Sequence, residues 1–375
     1  MSNLFADVLI IGGGIAGTSV GASLASEIKV ILVEAEEHLG FHSTGRSVAV
    51  YAPAYGSNII RKLTSQSSIL FNRVEQKLSQ PILSPRGFLF IGRKNQSQAM
   101  ATLHEELSKL SSLTSMNLQE AQAMVPAIRS EYLEKALYDP EAKDIDVSSL
   151  HNYYINELRS YGGKLLLSQR VHEIKKTGSS YEVICNSIKI NCKKIINASG
   201  AWADEIGQLA GCKKLDLKPL RRTAFSFQPD NWAYKHWPVV IDCEENFYIK
   251  PETGSIIGSP ADEKVDIPRD VYAEEIDIAI GMDRIKAALN FKVHSVNSSW
   301  AGLRTFSPDR EPAVGFDPQD ESFFWLAGQG GYGIQTAPYL GRFAADLVLE
   351  KNIIPSSKEA CLKSELDPSR FYITK

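Results

Sequence analysis

A glycine-rich turn near the N-terminus constrains the fold of this chain more than any other sequence feature. Residues 12–17 read Gly-Gly-Gly-Ile-Ala-Gly and fit the pattern GxGxxG. The apolar run 7–11 before the turn predicts a buried parallel strand, and the small residues of 15–26 predict a helix. The β-branched run 29–34 predicts a second strand. Together they predict a βαβ unit of the kind that binds dinucleotides.

Each part of this unit has a physical role in holding a dinucleotide. Gly12 permits the tight turn, Gly14 lets the backbone approach a diphosphate, and Gly17 lets the helix pack closely on the strand. The helix N-terminus attracts phosphate. Glu34 ends the second strand, where its carboxylate can accept hydrogen bonds from ribose hydroxyls and disfavours the 2′-phosphate of NADP. The residues assigned to the cofactor from this unit are Gly12, Gly14, Ile15, Ala16, Gly17, Glu34 and Ala35.

Three later segments favour FAD over NAD. The loop 40–47 carries three hydroxyls and a guanidinium that can hydrogen-bond diphosphate and ribityl oxygens. The turn 197–202 follows a buried strand, and the glycine-rich segment 328–336 opens a helix whose N-terminus can stabilise a reduced flavin. Singly, these segments also fit a polar surface loop, tight packing and a strand-to-helix connection. The additional cofactor candidates are His42, Ser43, Thr44, Arg46, Ser47, Val171, Gly200, Trp202, Gly302, Gly330, Gly331, Tyr332, Gly333, Ile334, Gln335 and Thr336.

Composition and charge exclude several other classes of protein. The 375 residues are 43% hydrophobic and 23% charged, as in ordinary globular proteins, and a net charge of −3 argues against nucleic-acid binding. No apolar run approaches the ~20 residues of a membrane-spanning helix. The first apolar run is broken by glycines and follows no basic segment, so we expect no signal peptide. The five cysteines lack a CxxC pair, which predicts neither a disulfide framework nor a metal site.

The order of the segments predicts a mixed α/β fold with two interleaved domains. The βαβ material at the start, near residue 195 and at the end predicts a Rossmann-like FAD-binding domain of residues 1–80, 146–215 and 301–375. The aromatic, strand-rich segments between them predict an inserted antiparallel β-sheet domain for the substrate. That second domain is assigned residues 81–145 and 216–300.

Six short strings carry a resemblance to a known family. They are His-Ser-Thr-Gly-Arg-Ser at 42–47, Leu-Ser-Pro-Arg at 83–86, Asp-Ile-Asp at 144–146, Asn-Phe-Tyr-Ile-Lys-Pro at 246–251, Trp-Ala-Gly-Leu-Arg at 300–304 and Gln-Gly-Gly-Tyr-Gly-Ile-Gln-Thr at 329–336. With them, the chain resembles the D-amino-acid oxidase superfamily over nearly its whole length. Within that superfamily it is similar to D-amino-acid dehydrogenases of the D-arginine dehydrogenase type.

The resemblance implies a reaction and a set of site residues. The reaction is hydride transfer from the Cα of a D-amino acid to flavin N5, followed by hydrolysis of the imine to a 2-oxo acid and ammonia. Arg222 and Arg304 match the pair that holds the substrate carboxylate, although a surface ion pair and a domain-interface salt bridge are the plainer interpretations. Tyr55 and Tyr248 match aromatic residues over the substrate, with a core tyrosine as the alternative. Gly331 matches a carbonyl that accepts from the amine, and Tyr332 lies on the same loop.

The chain departs from the D-arginine enzymes in the predicted substrate pocket. Val50, Ala52 and Phe88 stand where those enzymes carry a histidine, a threonine and a glutamate that pairs with the cationic side chain. A guanidinium beside Phe88 would lose its partner at a cost of several kcal/mol, unless another acid reaches it. We therefore expect a preference for apolar or neutral D-amino acids. Because no cysteine occurs in 300–308, we also expect noncovalent FAD.

Other functions and partners stay open at this point. One alternative is an oxidase of glycine, sarcosine or similar amines, and another is an FAD-dependent 2-hydroxy-acid dehydrogenase. A third is a flavoprotein subunit without catalysis, used in assembly or electron transfer. We expect a cytoplasmic monomer or homodimer that passes electrons to a quinone or a partner protein rather than to oxygen, and peripheral association with the inner face of a membrane stays open.

Overall fold

The computed structural model describes residues 2–108, 113–230, 233–351 and 358–372. Within these residues the chain forms an eight-stranded sheet, a nine-stranded sheet and a small three-stranded sheet, with helices packed against them. This mixed architecture confirms the predicted fold class. The α-helices span Ile15–Leu24, Asn58–Leu78, Ser97–Leu107, Leu118–Met124, Val147–Ser160, Ala203–Leu209, Glu275–Ala288, Gly333–Val348 and Lys358–Leu366.

The eight-stranded sheet, here called the first sheet, contains the predicted βαβ unit. Strand Ser2–Ile11 leads into helix Ile15–Leu24, and Val30–Val33 then pairs parallel to the first strand. On its other side the first strand pairs parallel to Ile188–Asn197, which pairs in turn with Asp320–Ala327. Distant segments thus build one sheet, as the sequence predicts. Its other strands are Lys164–Leu166, Val171–Thr177, Ser180–Cys185 and Ala313–Asp317.

Alternation along strand Ser2–Ile11 fixes this sheet between two cores. Val8 and Ile10 belong to one buried cluster, whereas Leu9 and Ile11 belong to another. Successive side chains of a strand point to opposite faces, so an unbroken apolar run buries both faces. The glycine turn that follows is therefore held by a strand with very little freedom to move.

The nine-stranded sheet, here called the second sheet, is built mainly of antiparallel pairs. One pair departs from the prediction, because Val239–Asp242 runs parallel to Phe88–Gly92. These strands come from separate chain segments, and a local pattern carries no information on their relative direction. The remaining strands are Lys264–Val265, Lys218–Phe227, Ser255–Ser259, Tyr248–Glu252, Lys135–Asp139, Thr114–Met116 and Val296–Phe306.

Two sets of pairings cross the predicted domain boundaries. Strand Val296–Phe306 runs through the predicted boundary at 300/301 and pairs with Lys218–Phe227 along its length. In the small sheet, whose third strand is Leu83–Pro85, Val50–Tyr51 pairs with Lys143–Ile145 across the predicted boundary at 80/81. The domain division stays a prediction, and these pairings show where its boundaries separate hydrogen-bonded residues.

Candidate active site

The glycine turn has the geometry that its sequence predicts. Gly12 has φ +111°, a conformation that strongly favours glycine, and a Cβ there would overlap the carbonyl of Ala198. A Cβ on Gly17 would overlap the Gly12 carbonyl oxygen. Gly17 therefore allows the helix to approach the strand without itself lining a cavity.

Glu34 is placed beside the turn. Its carboxylate accepts hydrogen bonds from the N–H of Gly13 at 2.7 Å and of Glu36 at 3.0 Å. A carboxylate has roughly four acceptor positions, so it retains capacity for ribose hydroxyls. His42 and Trp202 lie at the same end of the cavity. Nε2 of His42 is 3.0 Å from Glu36 Oε1, and the His42 ring centroid is 4.7 Å from that of Trp202.

The polar groups of loop 40–47 are used differently from the expectation. The Ser43 hydroxyl donates to Leu303 O at 2.6 Å, and Thr44 Oγ1 accepts from Ile15 N at 3.0 Å. Arg46 donates to Ala301 O at 3.0 Å and pairs with Asp270. The sequence predicts hydrogen bonds from this loop to the cofactor. Much of the loop's polarity instead fixes it against the protein, while its residues still line the cavity.

The second glycine-rich segment opens helix Gly333–Val348 at the same cavity. Tyr332, the N-cap residue, makes no side-chain capping hydrogen bond, so the helix N-terminus is not capped by its own side chain. Gln335 Oε1 accepts from Ala52 N at 3.0 Å. Among the described residues, Nε2 of Gln329 and Nε2 of Gln335 are buried without a hydrogen-bond partner. A bound polar group in this cavity would satisfy them.

Arg222 and Arg304 point to the same face of the second sheet. They lie on paired strands, with Arg222 opposite Gly302 and Arg304 opposite Leu220. Gly302 and Arg304 are two residues apart, so Arg304 and Arg222 are diagonal neighbours on one face. Burial and the nearby Arg304 cation lower the pKa of Arg222. Two cations in a buried site attract an anion.

Arg304, the second arginine of this pair, lines the cavity. Its side chain makes no hydrogen bond or ion pair to any residue in the described ranges. A Cβ on Gly331 would lie 2.8 Å from Arg304 Cζ, so the glycine lets this loop approach the guanidinium. A half-buried guanidinium of this kind is a strong donor for a carboxylate.

Aromatic rings surround the two arginines. The Tyr55 ring centroid lies 5.5 Å from that of Tyr332 and 6.0 Å from that of Phe88. The Tyr55 hydroxyl donates to Glu245 Oε2 at 2.7 Å. Burial, followed by the charge of Glu245, raises the pKa of Tyr55, so its phenol stays neutral and can donate.

The predicted substrate pocket is apolar. Val50, Ala52 and Phe88 line the cavity, and Val239 and Ile241 lie among them in one hydrophobic cluster. None of these side chains carries a negative charge that could form a salt bridge with a cationic substrate.

One continuous cavity brings together nearly all the predicted residues. Lining it are Gly12, Gly14, Ile15, Ala16, Glu34, Ala35, His42, Ser43, Thr44, Arg46, Ser47, Val50, Ala52, Tyr55, Phe88, Val171, Gly200, Trp202, Arg222, Tyr248, Gly302, Arg304, Gly330, Gly331, Tyr332, Gly333, Ile334 and Gln335. Gly17 and Thr336 do not line it. The Thr336 hydroxyl donates to Tyr332 O at 2.9 Å and so acts within the helix.

Several lining residues were missed by the sequence reasoning. Examples are Glu36, Gln169, Lys250 and Gln329. Gln329 and Lys250 stand inside the recognised strings 329–336 and 246–251. Their position there is a signal that could have found them. Glu36 and Gln169 lie in loops, and the sequence gives no comparable signal for them.

The family of the chain follows from comparison with known proteins. The family model DAO, FAD dependent oxidoreductase, matches residues 7–347. The chain belongs to this family. The predicted superfamily is thereby confirmed, and FAD is the cofactor of this DAO protein. The D-arginine dehydrogenase type and noncovalent attachment stay predictions.

Three relatives show how far the likeness extends. FAD-dependent oxidoreductase domain-containing protein 1 of Xenopus laevis is 23% identical, over 92% of this chain and 79% of the relative. Mitochondrial dimethylglycine dehydrogenase of Rattus norvegicus is 25% identical over 98% of this chain, which spans only 45% of that protein. The crystal structure of L-proline dehydrogenase from P. horikoshii has a TM-score of 0.85 at 22% identity and covers 99% of both chains, which shows a shared fold.

The residues of the cavity fit FAD. The cavity runs from Glu34 and the glycine turn at one end to Arg222 and Arg304 at the other. The partnerless amides of Gln329 and Gln335 lie along it.

In the part of the chain that the structure describes, no helix has the length and apolar character needed to cross a membrane.

Proposed function

We propose that this DAO protein is an FAD-dependent dehydrogenase of D-amino acids, with a preference for apolar or neutral side chains. The products are a 2-oxo acid and ammonia, formed by hydrolysis of the imine. Electrons then pass to an acceptor other than oxygen. The observation that carries the proposal is the pair Arg222 and Arg304 on one face of the second sheet, at the end of the cofactor cavity.

The arginines hold the substrate carboxylate in this proposal. The partnerless Arg304 supplies a bidentate pair, and Arg222 adds a second contact. The Gly331 carbonyl accepts a hydrogen bond from the substrate amine. Carboxylate and amine together fix the orientation of Cα, which is what such a reaction requires. FAD supplies the hydride acceptor at its N5 atom.

No side chain is assigned as a general base. An amine that binds in its neutral form needs only alignment before hydride transfer. Tyr55 and Tyr248 serve to position the substrate, and the neutral phenol of Tyr55 is suited to donating a hydrogen bond. Tyr332 closes the same side of the pocket.

The side-chain preference rests on the apolar pocket of Val50, Ala52 and Phe88. A cationic side chain there would be desolvated without a partner in the pocket wall. Glu245 is one acid beside the pocket, since its Oε2 accepts a hydrogen bond from the Tyr55 hydroxyl at 2.7 Å. It is exposed and already accepts a hydrogen bond, so we expect it to compensate only in part.

Anaerobic mixing with a panel of D- and L-amino acids tests the proposal. We expect D-Met, D-Leu and D-Phe to bleach the flavin absorbance, and kcat/KM for D-Arg to be at least about tenfold lower. A kcat/KM for D-Arg above those of the apolar substrates would contradict the preference. Arg304→Met should lower kcat/KM by roughly 30- to 1,000-fold. Glu365→Gln, which removes an exposed pair with Lys62, is the matched control.

The same assay separates the alternatives. Faster turnover of glycine, sarcosine or dimethylglycine, with peroxide formed in air, would favour an amine oxidase. Bleaching by 2-hydroxy acids alone would favour a hydroxy-acid dehydrogenase. A flavin that no amino or hydroxy acid reduces would favour a noncatalytic subunit.

A further inference from the structure

A chain of charges connects Arg222 to the surface. Nη2 of Arg222 lies 3.1 Å from Glu263 Oε1. Nη2 of Arg310 lies 2.9 and 3.1 Å from the two oxygens of the same carboxylate. The side chains are 8%, 34% and 51% exposed, in the order Arg222, Glu263, Arg310. Glu263 is therefore shared between a buried and an exposed guanidinium.

The residue next to Glu263 and the Arg310 end of this chain each have a further contact. Asp262, next to Glu263, accepts from the N–H of Thr223 at 2.7 Å and from its hydroxyl at 2.9 Å. At the other end, Arg310 Cζ lies 3.9 Å from the centroid of the Phe306 ring. Because Glu263 contacts both cations, it keeps one partner when it leaves the other.

Glu263 takes up part of the hydrogen-bonding capacity and charge of Arg222. A guanidinium pairs bidentately with a carboxylate through Nη1 and Nη2 or through Nε and Nη2, so either edge includes Nη2. Nη2 already contacts Glu263, and Nε is buried without a partner among the described atoms. Nη2 carries one N–H on each of these edges, so Glu263 occupies one edge. A substrate carboxylate on the other edge shares the positive charge of Arg222 with Glu263, and the repulsion between the two carboxylates opposes its binding.

We infer that Glu263 is an internal competitor for the substrate carboxylate: it pairs with both Arg222 and Arg310 in the absence of substrate, and it gives up Arg222 and keeps Arg310 when a carboxylate binds. The inference rests on the proposed function, because it requires a carboxylate ligand at Arg222 and Arg304. It makes Glu263 a determinant of affinity and Arg310 the residue that receives the displaced charge.

The competition predicts opposite effects for two substitutions. Glu263→Gln removes the competing charge, so carboxylates bind more tightly and Kd and KM fall by roughly 3- to 10-fold. Arg310→Met leaves Glu263 without a second partner, so it stays on Arg222 and both constants rise by roughly 3- to 10-fold. In the Glu263→Gln background, Arg310→Met should have little effect, because the charge that it receives is gone.

The experiment uses the purified holoprotein. Acetate and benzoate, which lack an oxidisable amine, are titrated while flavin absorbance and the thermal unfolding midpoint are followed, and kcat and KM are measured with D-methionine. Arg310→Lys should restore Kd toward the parent value. Glu365→Gln, in an exposed pair with Lys62, controls for the loss of a carboxylate elsewhere.

The outcomes separate the inference from the proposed function. The competition is supported if Kd falls in Glu263→Gln and rises in Arg310→Met, and if adding Arg310→Met to Glu263→Gln changes Kd little. Shifts in the same direction, or an Arg310→Met effect that persists without the Glu263 charge, overturn it even if the parent binds carboxylates. If the parent binds no carboxylate and no amino acid reduces its flavin, the proposed function fails as well. Should Glu263→Gln not fold, Arg310→Met and Arg310→Lys alone still decide, since an unchanged Kd in Arg310→Met contradicts the inference.

Discussion

Arg221 and Arg222 are adjacent in the chain, yet they face opposite sides of strand Lys218–Phe227. Arg221 pairs with Glu274 and, at 3.0 Å, with the buried carboxylate of Asp277. Arg222 faces the central cavity. The sequence alone cannot choose which of two neighbouring arginines binds a ligand, because that depends on which strand face is covered by helix Glu275–Ala288.

Substitution of each arginine should therefore have a different consequence. Arg221→Met leaves Asp277 buried with one fewer cationic partner and should lower the free energy of unfolding by about 3 kcal/mol. Arg222→Met should weaken carboxylate binding with a much smaller effect on unfolding. Denaturant titration and benzoate binding measure the two effects. Equal losses of stability in both variants would contradict the assignment.

His151 connects the cofactor turn to acid stability. Its Nε2 lies 3.1 Å from the carbonyl oxygen of Gly13, and burial lowers the pKa of the imidazole. A folded pKa below the unfolded value of about 6.5 means that the unfolded chain binds the proton more readily. The stabilisation is complete above that pH and is lost as the pH falls through the folded pKa.

A His151→Gln variant tests this dependence. Its amide can still donate to Gly13 O but does not titrate, so unfolding free energies at pH 7.5 and 5.5 should differ less than in the parent, by up to about 1 kcal/mol. The same pH dependence in parent and variant would rule out His151 as the titrating group.

Helix Ile15–Leu24 depends on its close approach to the glycine turn. Gly17→Ala would drive a methyl group into the Gly12 carbonyl, and backbone cannot yield there without moving the strand. We expect a loss of at least about 2 kcal/mol in unfolding free energy and loss of flavin during purification. Ser26→Ala, an exposed change just beyond the same helix, is the control. A variant that keeps its flavin and its midpoint would contradict the packing argument.

The elements that the sequence predicts well are those determined by local pattern. Glycine spacing and an apolar run specify the turn at 12–17 and its flanking strand, and helix Ile15–Leu24 differs from the predicted helix only at its C-terminal end. The parallel pairing of Val239–Asp242 with Phe88–Gly92 was not predictable, because neither sequence contains a pattern that specifies which strand lies beside it. Likewise, Glu263 reaches Arg222 across 41 positions, and no motif marks it.

At the scale of the molecule, loop 40–47 is fastened to strand Val296–Phe306. Ser43 donates to Leu303 O, Arg46 donates to Ala301 O, and the Trp300 indole donates to Arg46 O at 3.0 Å. These contacts join a loop of the cofactor site to a strand of the second sheet.

Loss of these contacts between loop 40–47 and the strand should weaken cofactor binding, even if the substituted side chain does not itself contact the cofactor. Arg46→Met removes the bonds to Ala301 and Val271 and the pair with Asp270, and we expect the FAD dissociation constant to rise by about tenfold. Arg269→Met, which removes a more exposed pair with Asp266, is the matched control. Flavin fluorescence during dilution measures the FAD dissociation constant of each variant. A constant for Arg46→Met equal to that of the parent would contradict the role of the loop.

Strand Val296–Phe306 carries both Gly302, a predicted cofactor contact, and Arg304, the proposed partner of the substrate carboxylate. Since both face the same way, a slip of one position against Lys218–Phe227 would turn both away together. A shift in the register of this strand should therefore impair cofactor binding and substrate binding together, and not one without the other. Variants with a shifted register in this strand should consequently be inactive, and variants that keep the register should be active, with few of intermediate activity.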